Sequence, residues 1–271
     1  MFIKGKQMRM SFEIDDSGRV LMPASARNPI TSNTAFTTPV QGLRNAQSLL
    51  LRIRGDTSHI VLMSLISTIR PIQVEKVEVF QPKDRRAVKS FVKKSEACLY
   101  LGRVALSRFE QTSSRKFASY LSEFHAGNTP PVELPFFIRN IAQVKRAPAD
   151  LPDALSQLDE DVKKNGSYYR LDADHNLTPM KLPHDYLYPR MSEYQDIMNS
   201  KFGKWVNIVG QVSVAVQSPL LQFGHFFMEH RPDEPTRFVR ITVPFIGEGN
   251  RPINHRIITL SFLPDKQNWM I

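Results

Sequence analysis

Cysteine is nearly missing from these 271 residues: Cys98 stands alone, so no intrachain disulfide can form and a reducing compartment suits the chain. Long hydrophobic runs are missing too. The longest, Ile60–Ile69, contains two serines and falls well short of the roughly 20 residues a membrane-spanning helix needs. The opening MFIKGKQMRM has basic residues with no apolar stretch behind them, which argues against a secretory signal. There is no glycine-rich phosphate loop, no nucleophile elbow and no Cys-X-X-Cys pair. Nucleotide, serine-hydrolase and dithiol chemistry therefore have no motif to stand on. A cytoplasmic protein without a membrane span and without a catalytic constellation is expected.

What is present is ordinary globular content, 41% hydrophobic and 23% charged, enough for one large domain or two small ones. The net charge of +10 is not evenly spread. Residues 1–150 hold 23 Lys+Arg against 12 Asp+Glu, whereas residues 151–271 hold 13 against 14. An acidic partner is thus expected for the first half only: nucleic acid, an anionic membrane surface or an acidic protein. A merely solubilising basic surface is the plain alternative.

In the first half, Arg9–Ile14 and Arg19–Met22 around Asp15-Asp16-Ser17-Gly18 predict a hairpin. Residues from Pro23 to Gln41 show no period and predict an irregular connection. Leu49–Arg54 and Ile60–Ile69 predict strands about Gly55-Asp56, and Val74–Phe80 predicts an edge strand. From Lys83 to Lys94, Ala87, Val88, Phe91 and Val92 fall at helical spacing. A basic amphipathic helix is expected there, exposing Arg85, Arg86, Lys89, Lys93 and Lys94. With Arg115 and Lys116 these form the candidate basic patch for phosphates, although such a face is also what a solvated core helix would show. Ala97–Leu106 predicts a strand containing a buried Cys98, and Ser113–Phe124 a helix. The prolines of residues 128–135 mark a linker and Leu134–Ile141 a short strand, with a domain boundary near 145.

In the second half, a helix is expected from Asp150 to Gly166, then a strand over Ser167–Leu171. Asp172, Asp174 and His175 are the densest potential metal ligands. They lack the glycine and distal glutamate of a calcium loop, so a polar turn is expected and no metal site is assigned. Ser192 and Gln195 form a capping box before an apolar run to Val216. Both helical and strand periods fit its second half, and the cap and length favour helix. Pro219 breaks the run. Leu220–Glu229, Arg237–Ile246 and Ile253–Leu263 then alternate as strands, the last two joined by Gly247-Glu248-Gly249-Asn250.

The run EYQDIMNSKFGKWVNIVGQVSVAVQSPLLQFGHFF, followed by TRFVRITVPFIGEGNRPINHRIITLSF and preceded by DYLYP, resembles the divergent PAS-like domains of alphaproteobacterial regulatory proteins. The resemblance covers roughly residues 165–265. It implies a five-stranded antiparallel sheet with helices on one face, and a module that senses or dimerises without catalysing. Trp205, Phe223, Phe227 and Phe245 would then be candidates to line a small-ligand pocket; an ordinary aromatic core is the alternative. The expected architecture is α+β: antiparallel sheets with helices packed on one face, a basic module over 1–145 and a PAS-like domain over 146–271. The expected function is that of a non-enzymatic bacterial sensory or regulatory protein in signal transduction, with a small ligand, a homodimer or a regulatory protein as partner and no assigned cofactor. The alternative is a nucleic-acid-binding protein using the basic half.

Overall fold

The computed structural model describes residues 10–21, 38–44, 47–80, 88–113, 117–124, 166–171, 177–181, 201–228, 231–245 and 256–262. The chain is of mixed α+β class, with two largely antiparallel sheets and three helices among the described residues. It divides into two compact units, Met1–Arg108 and Phe109–Ile271.

The first unit holds one six-stranded sheet in the order β2-β1-β3-β4-β5-β6. Its strands are β1 (Met10–Ile14), β2 (Val20–Leu21), β3 (Val40–Arg44), β4 (Ser48–Ile53), β5 (Lys76–Phe80) and β6 (Val88–Phe91). The β1–β2 hairpin forms as expected. Asp15 Oδ1 accepts from the Ser17 and Arg19 amides at 3.0 and 2.9 Å, and Gly18 takes a φ of 85° that a side chain would resist. One face of the sheet is fully buried through Phe12, Ile14, Val40, Leu49, Leu51 and Val77, the alternate positions of their strands.

Helix α1 (His59–Ile69) replaces the strand expected at Ile60–Ile69. Gly55-Asp56 is accordingly not a hairpin turn. It leads into Ser58, whose side chain accepts from the Val61 amide as an N-cap. The chain crosses over through α1, so β4 and β5 pair in parallel. β5 was expected at an edge; it lies inside the sheet, between β4 and β6.

Helix α2 (Lys94–Thr112) replaces the strand expected at Ala97–Leu106. Its apolar residues Ala97, Leu101 and Ala105 recur every fourth position and are all fully buried, a helical stripe. Lys94 Nζ donates to the Arg70 and Ile72 carbonyls at 2.5 and 2.9 Å, and Arg108 Nη2 donates to the Gly55 carbonyl. Those anchors lie beyond the two ends of α1, so α2 runs antiparallel beside it.

The second unit holds a six-stranded antiparallel sheet in the order β7-β10-β11-β12-β8-β9. The strands are β7 (Phe117–Glu123), β8 (Gly166–Leu171), β9 (Leu177–Lys181), β10 (Leu220–Met228), β11 (Arg231–Phe245) and β12 (Arg256–Phe262). The strands expected at 167–171, 220–229, 237–246 and 253–263 are present, and β11 and β12 pair antiparallel. β7 corrects the helix expected at Ser113–Phe124. Helix α3 (Lys201–Val216) carries the ambiguous apolar run. Gly210, a weak helix former, leaves room for β9, since a Cβ there would lie 2.6 Å from Leu177 Cδ1. α3 ends where Gln217 takes a left-handed φ of 59° and its amide bonds back to the Ser213 carbonyl.

The boundary near 145, the linker, the 134–141 strand, the helix from Asp150, the Asp172–His175 turn and the 247–250 loop lie outside the described residues.

Candidate functional site

In β10 and β11 the even-numbered residues turn towards α3. Phe226 and Phe238 pack edge-on against Trp205 of α3, at centroid distances of 6.4 and 5.0 Å. Phe117 of β7 completes the cluster at 5.0 Å, and Trp205 is fully buried. A ring of this size dominates the packing of the surrounding core.

Polar groups share this face. Arg240 is 3% exposed, because the centre of β11 is buried on both faces. Its guanidinium sits 5.6 Å from the Trp205 ring and 5.3 Å from Phe238, close enough for cation–π attraction. Arg240 Nη1 donates to Gln222 Oε1 at 3.2 Å across the β10–β11 register. Gln222 Nε2 donates to Ser119 Oγ at 2.9 Å, and Ser119 Oγ donates to Glu110 Oε1 at 2.8 Å. Trp205 Nε1 donates to the same carboxylate oxygen at 3.1 Å.

These bonds share one direction. Every donor points towards Glu110, so the arginine cation and the glutamate lie at opposite ends of one chain through Gln222 and Ser119. Chains of this kind polarise and strengthen each bond in a low-dielectric interior. Burial pushes the Glu110 carboxyl above its ordinary value, while the Ser119 and Trp205 donors pull it down. The network joins the last turn of α2, an early turn of α3 and the strands β7, β10 and β11.

Of the three aromatic candidates whose side chains are described, only Trp205 joins this cluster. Phe223 and Phe227 belong to the odd-numbered face of β10, the opposite side of the sheet, where both are half-buried. There Phe223 lies 5.3 Å from Tyr120, and Phe227 packs edge-on against His225 at 5.6 Å. Phe245 lies at the end of β11, and its side chain is outside the described residues. Burial and the neighbouring Arg237 lower the His225 pKa.

The basic candidates fare differently. The helix expected over 83–94 is corrected: Val88–Phe91 form a strand, and only Lys94 belongs to a helix. Lys89 is exposed, with Nζ 4.2 Å above the Tyr100 ring, and Lys93 is exposed. Lys94 is half-buried and its ammonium is engaged by the two carbonyls at the end of α1, a structural position. Arg85, Arg86, Arg115 and Lys116 lie outside the described residues.

Glu110, Ser119, Gln222 and Arg240 were not anticipated. Gln222 and Arg240 are polar interruptions of apolar strands, and pairing β10 with β11 in register would have put them side by side. Glu110 and Ser119 carried no such signal. Among the described residues no three His, Cys, Asp or Glu side chains gather to hold a metal, and no helix is long and apolar enough to cross a membrane. No family model, no curated protein and no solved structure matches the chain.

Proposed function

We propose that the protein is a non-enzymatic cytoplasmic regulatory protein whose second unit is a PAS-like module for small-ligand sensing or protein association. One observation carries this reading. The stretch resembling PAS-like domains, roughly 165–265, contributes β8 to β12 as five adjacent antiparallel strands, with α3 on one face. β7 adds a sixth strand at the β10 edge. The polar chain from Arg240 to Glu110 is the part of this module suited to switching, because moving Trp205 breaks a bond at Glu110. Native mass spectrometry of the full chain across a concentration series tests the reading. A retained small molecule or a concentration-dependent dimer supports it. A bare monomer throughout, with no thermal shift on adding a library of small metabolites, overturns it.

Charge favours a second reading for the first unit. Residues 1–108 carry 18 Lys+Arg against 8 Asp+Glu, a net of +10, and residues 109–271 carry 18 against 18, a net of zero. The whole excess of positive charge belongs to the first unit, which suits binding of a polyanion there. Binding of a nucleic acid by the full chain should then weaken steeply with rising salt. No binding at low salt would remove this reading.

A further inference from the structure

We propose that β7 is a self-pairing edge, through which two copies of this chain join their second-unit sheets into one continuous antiparallel sheet. The inference rests on the association side of the reading above and names its surface. β7 ends the strand order of its sheet, and β10 is its strand partner among the described residues. The outer row of its backbone N–H and C=O groups is therefore laid out as a template for a further strand.

Sheet edges are ordinarily guarded by shortness, lysine, proline or a bulge. Three of the four edges of the two sheets follow that rule. β2 has two residues, β6 exposes Lys89, and β9 includes Pro179 and Lys181. β7 does not. Its sequence, FASYLSE, contains no lysine, arginine or proline, and it pairs with β10 from Phe117 to Glu123 without a bulge.

The occupant follows from what β7 presents. An edge whose one charge is Glu123, at its end, offers little to a nucleic acid or a charged peptide. It matches itself. Antiparallel pairing about Tyr120, the middle residue, brings all seven residues into register. Phe117 then faces Glu123, Ala118 faces Ser122, Ser119 faces Leu121, and Tyr120 faces its own copy. The residues of each pair point to the same side of the sheet, so α3 of both copies lies on one face. The two Glu123 carboxylates are about 20 Å apart, too far to oppose the pairing strongly. Tyr120 is 50% exposed, and its ring lies 5.3 Å from Phe223, its cross-strand neighbour. The dyad thus completes a row Phe223–Tyr120–Tyr120–Phe223, and aromatic cross-strand pairs of this kind stabilise paired strands.

The test is disulfide trapping of the full chain, read beside native mass spectrometry across a concentration series. Opposed residues of an antiparallel pair have Cα atoms about 4.5–5.5 Å apart, within disulfide reach. Tyr120→Cys should therefore form a covalent dimer under mild oxidation. Ala118→Cys and Ser122→Cys, each about 14 Å from its own copy, should stay uncrosslinked alone and crosslink when mixed. The native chain, whose Cys98 is buried, should form no covalent dimer. Tyr120→Lys sets like charges opposite one another at an exposed position. It should weaken the reversible dimer roughly tenfold and leave the circular dichroism unchanged. A dimer whose crosslinks ignore this pattern overturns β7 pairing and leaves the association reading standing. A monomer at every concentration also overturns it, and leaves small-ligand sensing as the reading of the second unit.

Discussion

Trp205 Nε1 donates to Glu110 Oε1 at 3.1 Å, tying an early turn of α3 to the last turn of α2 through a carboxylate that burial makes reluctant to ionise. The pH dependence follows from that direction. A carboxyl whose folded pKa lies above its unfolded value contributes stability that is fully present below the usual value of 4.5 and is lost as pH rises through the folded pKa. Glu110→Gln keeps an oxygen for the Trp205 and Ser119 donors and removes the charge. Its melting temperature should match or exceed the native protein's at neutral pH, with the gap closing as pH falls towards 4.5. Glu110→Ala, which orphans two buried donors, should be less stable than both. A gap that widens on acidification would show that the carboxylate is stabilised rather than strained by its surroundings.

Gly224 governs the seam between β7 and β10. A Cβ there would meet the Ala118 carbonyl and lie 2.7 Å from Ser119 Cα, both backbone. Those atoms cannot move without breaking the strand pairing that brings Ser119 to Gln222. Gly42→Ala in the first unit meets first the tip of the Phe12 ring, a side chain rather than backbone. Chemical denaturation should show Gly224→Ala destabilising the second unit by on the order of 3 kcal/mol or more, and Gly42→Ala costing its own unit less. The reverse order would mean that the β7–β10 seam is not tightly packed.

Strands with clean alternation were legible in the sequence, and so was the β1–β2 turn. The failures have physical causes. The run at 60–69 is apolar on nearly every side because α1 buries Val61, Leu62, Met63, Leu65, Ile66 and Ile69 and also carries an apolar residue, Ile60, at an exposed position. A helix with apolar residues on its outer face as well loses its period and looks like a buried strand. β7 fails the other way: Phe117, Leu121 and Phe124 sit at helical spacing, yet 117 and 121 also share one face of a strand. Of the candidate site, Trp205 was legible as an aromatic on an apolar stripe. Its polar partners come from four other elements, and the nearest of them in sequence, Gln222, is still seventeen positions away. Local pattern does not encode that convergence.

Lys94 and Lys93 are adjacent in sequence and should behave oppositely. Lys94 Nζ satisfies two carbonyls at the end of α1, whereas Lys93 is exposed. Lys94→Met should cost about 1–3 kcal/mol in unfolding free energy, because it leaves acceptors without their donor. Lys93→Met should stay within about 0.5 kcal/mol of the native protein. If Lys94→Met melts with the native protein, its ammonium does not cap the helix.

Cys98 offers a reporter of local opening. The thiol is fully buried in α2, and burial pushes its pKa up to about 12 against the opposing pull of Lys94 and Arg70. At pH 8 the buried thiol is almost wholly protonated, and only the thiolate attacks an alkylating reagent. Labelling of the native protein with iodoacetamide should therefore proceed only through opening of α2, and should become fast in denaturant. Lys94→Met loosens the neighbouring turn, so it should speed native labelling of Cys98 while leaving the denatured rate unchanged. Rapid labelling of the folded native protein would place the thiol at the surface and would remove the packing of α2 on which the Lys94 prediction depends.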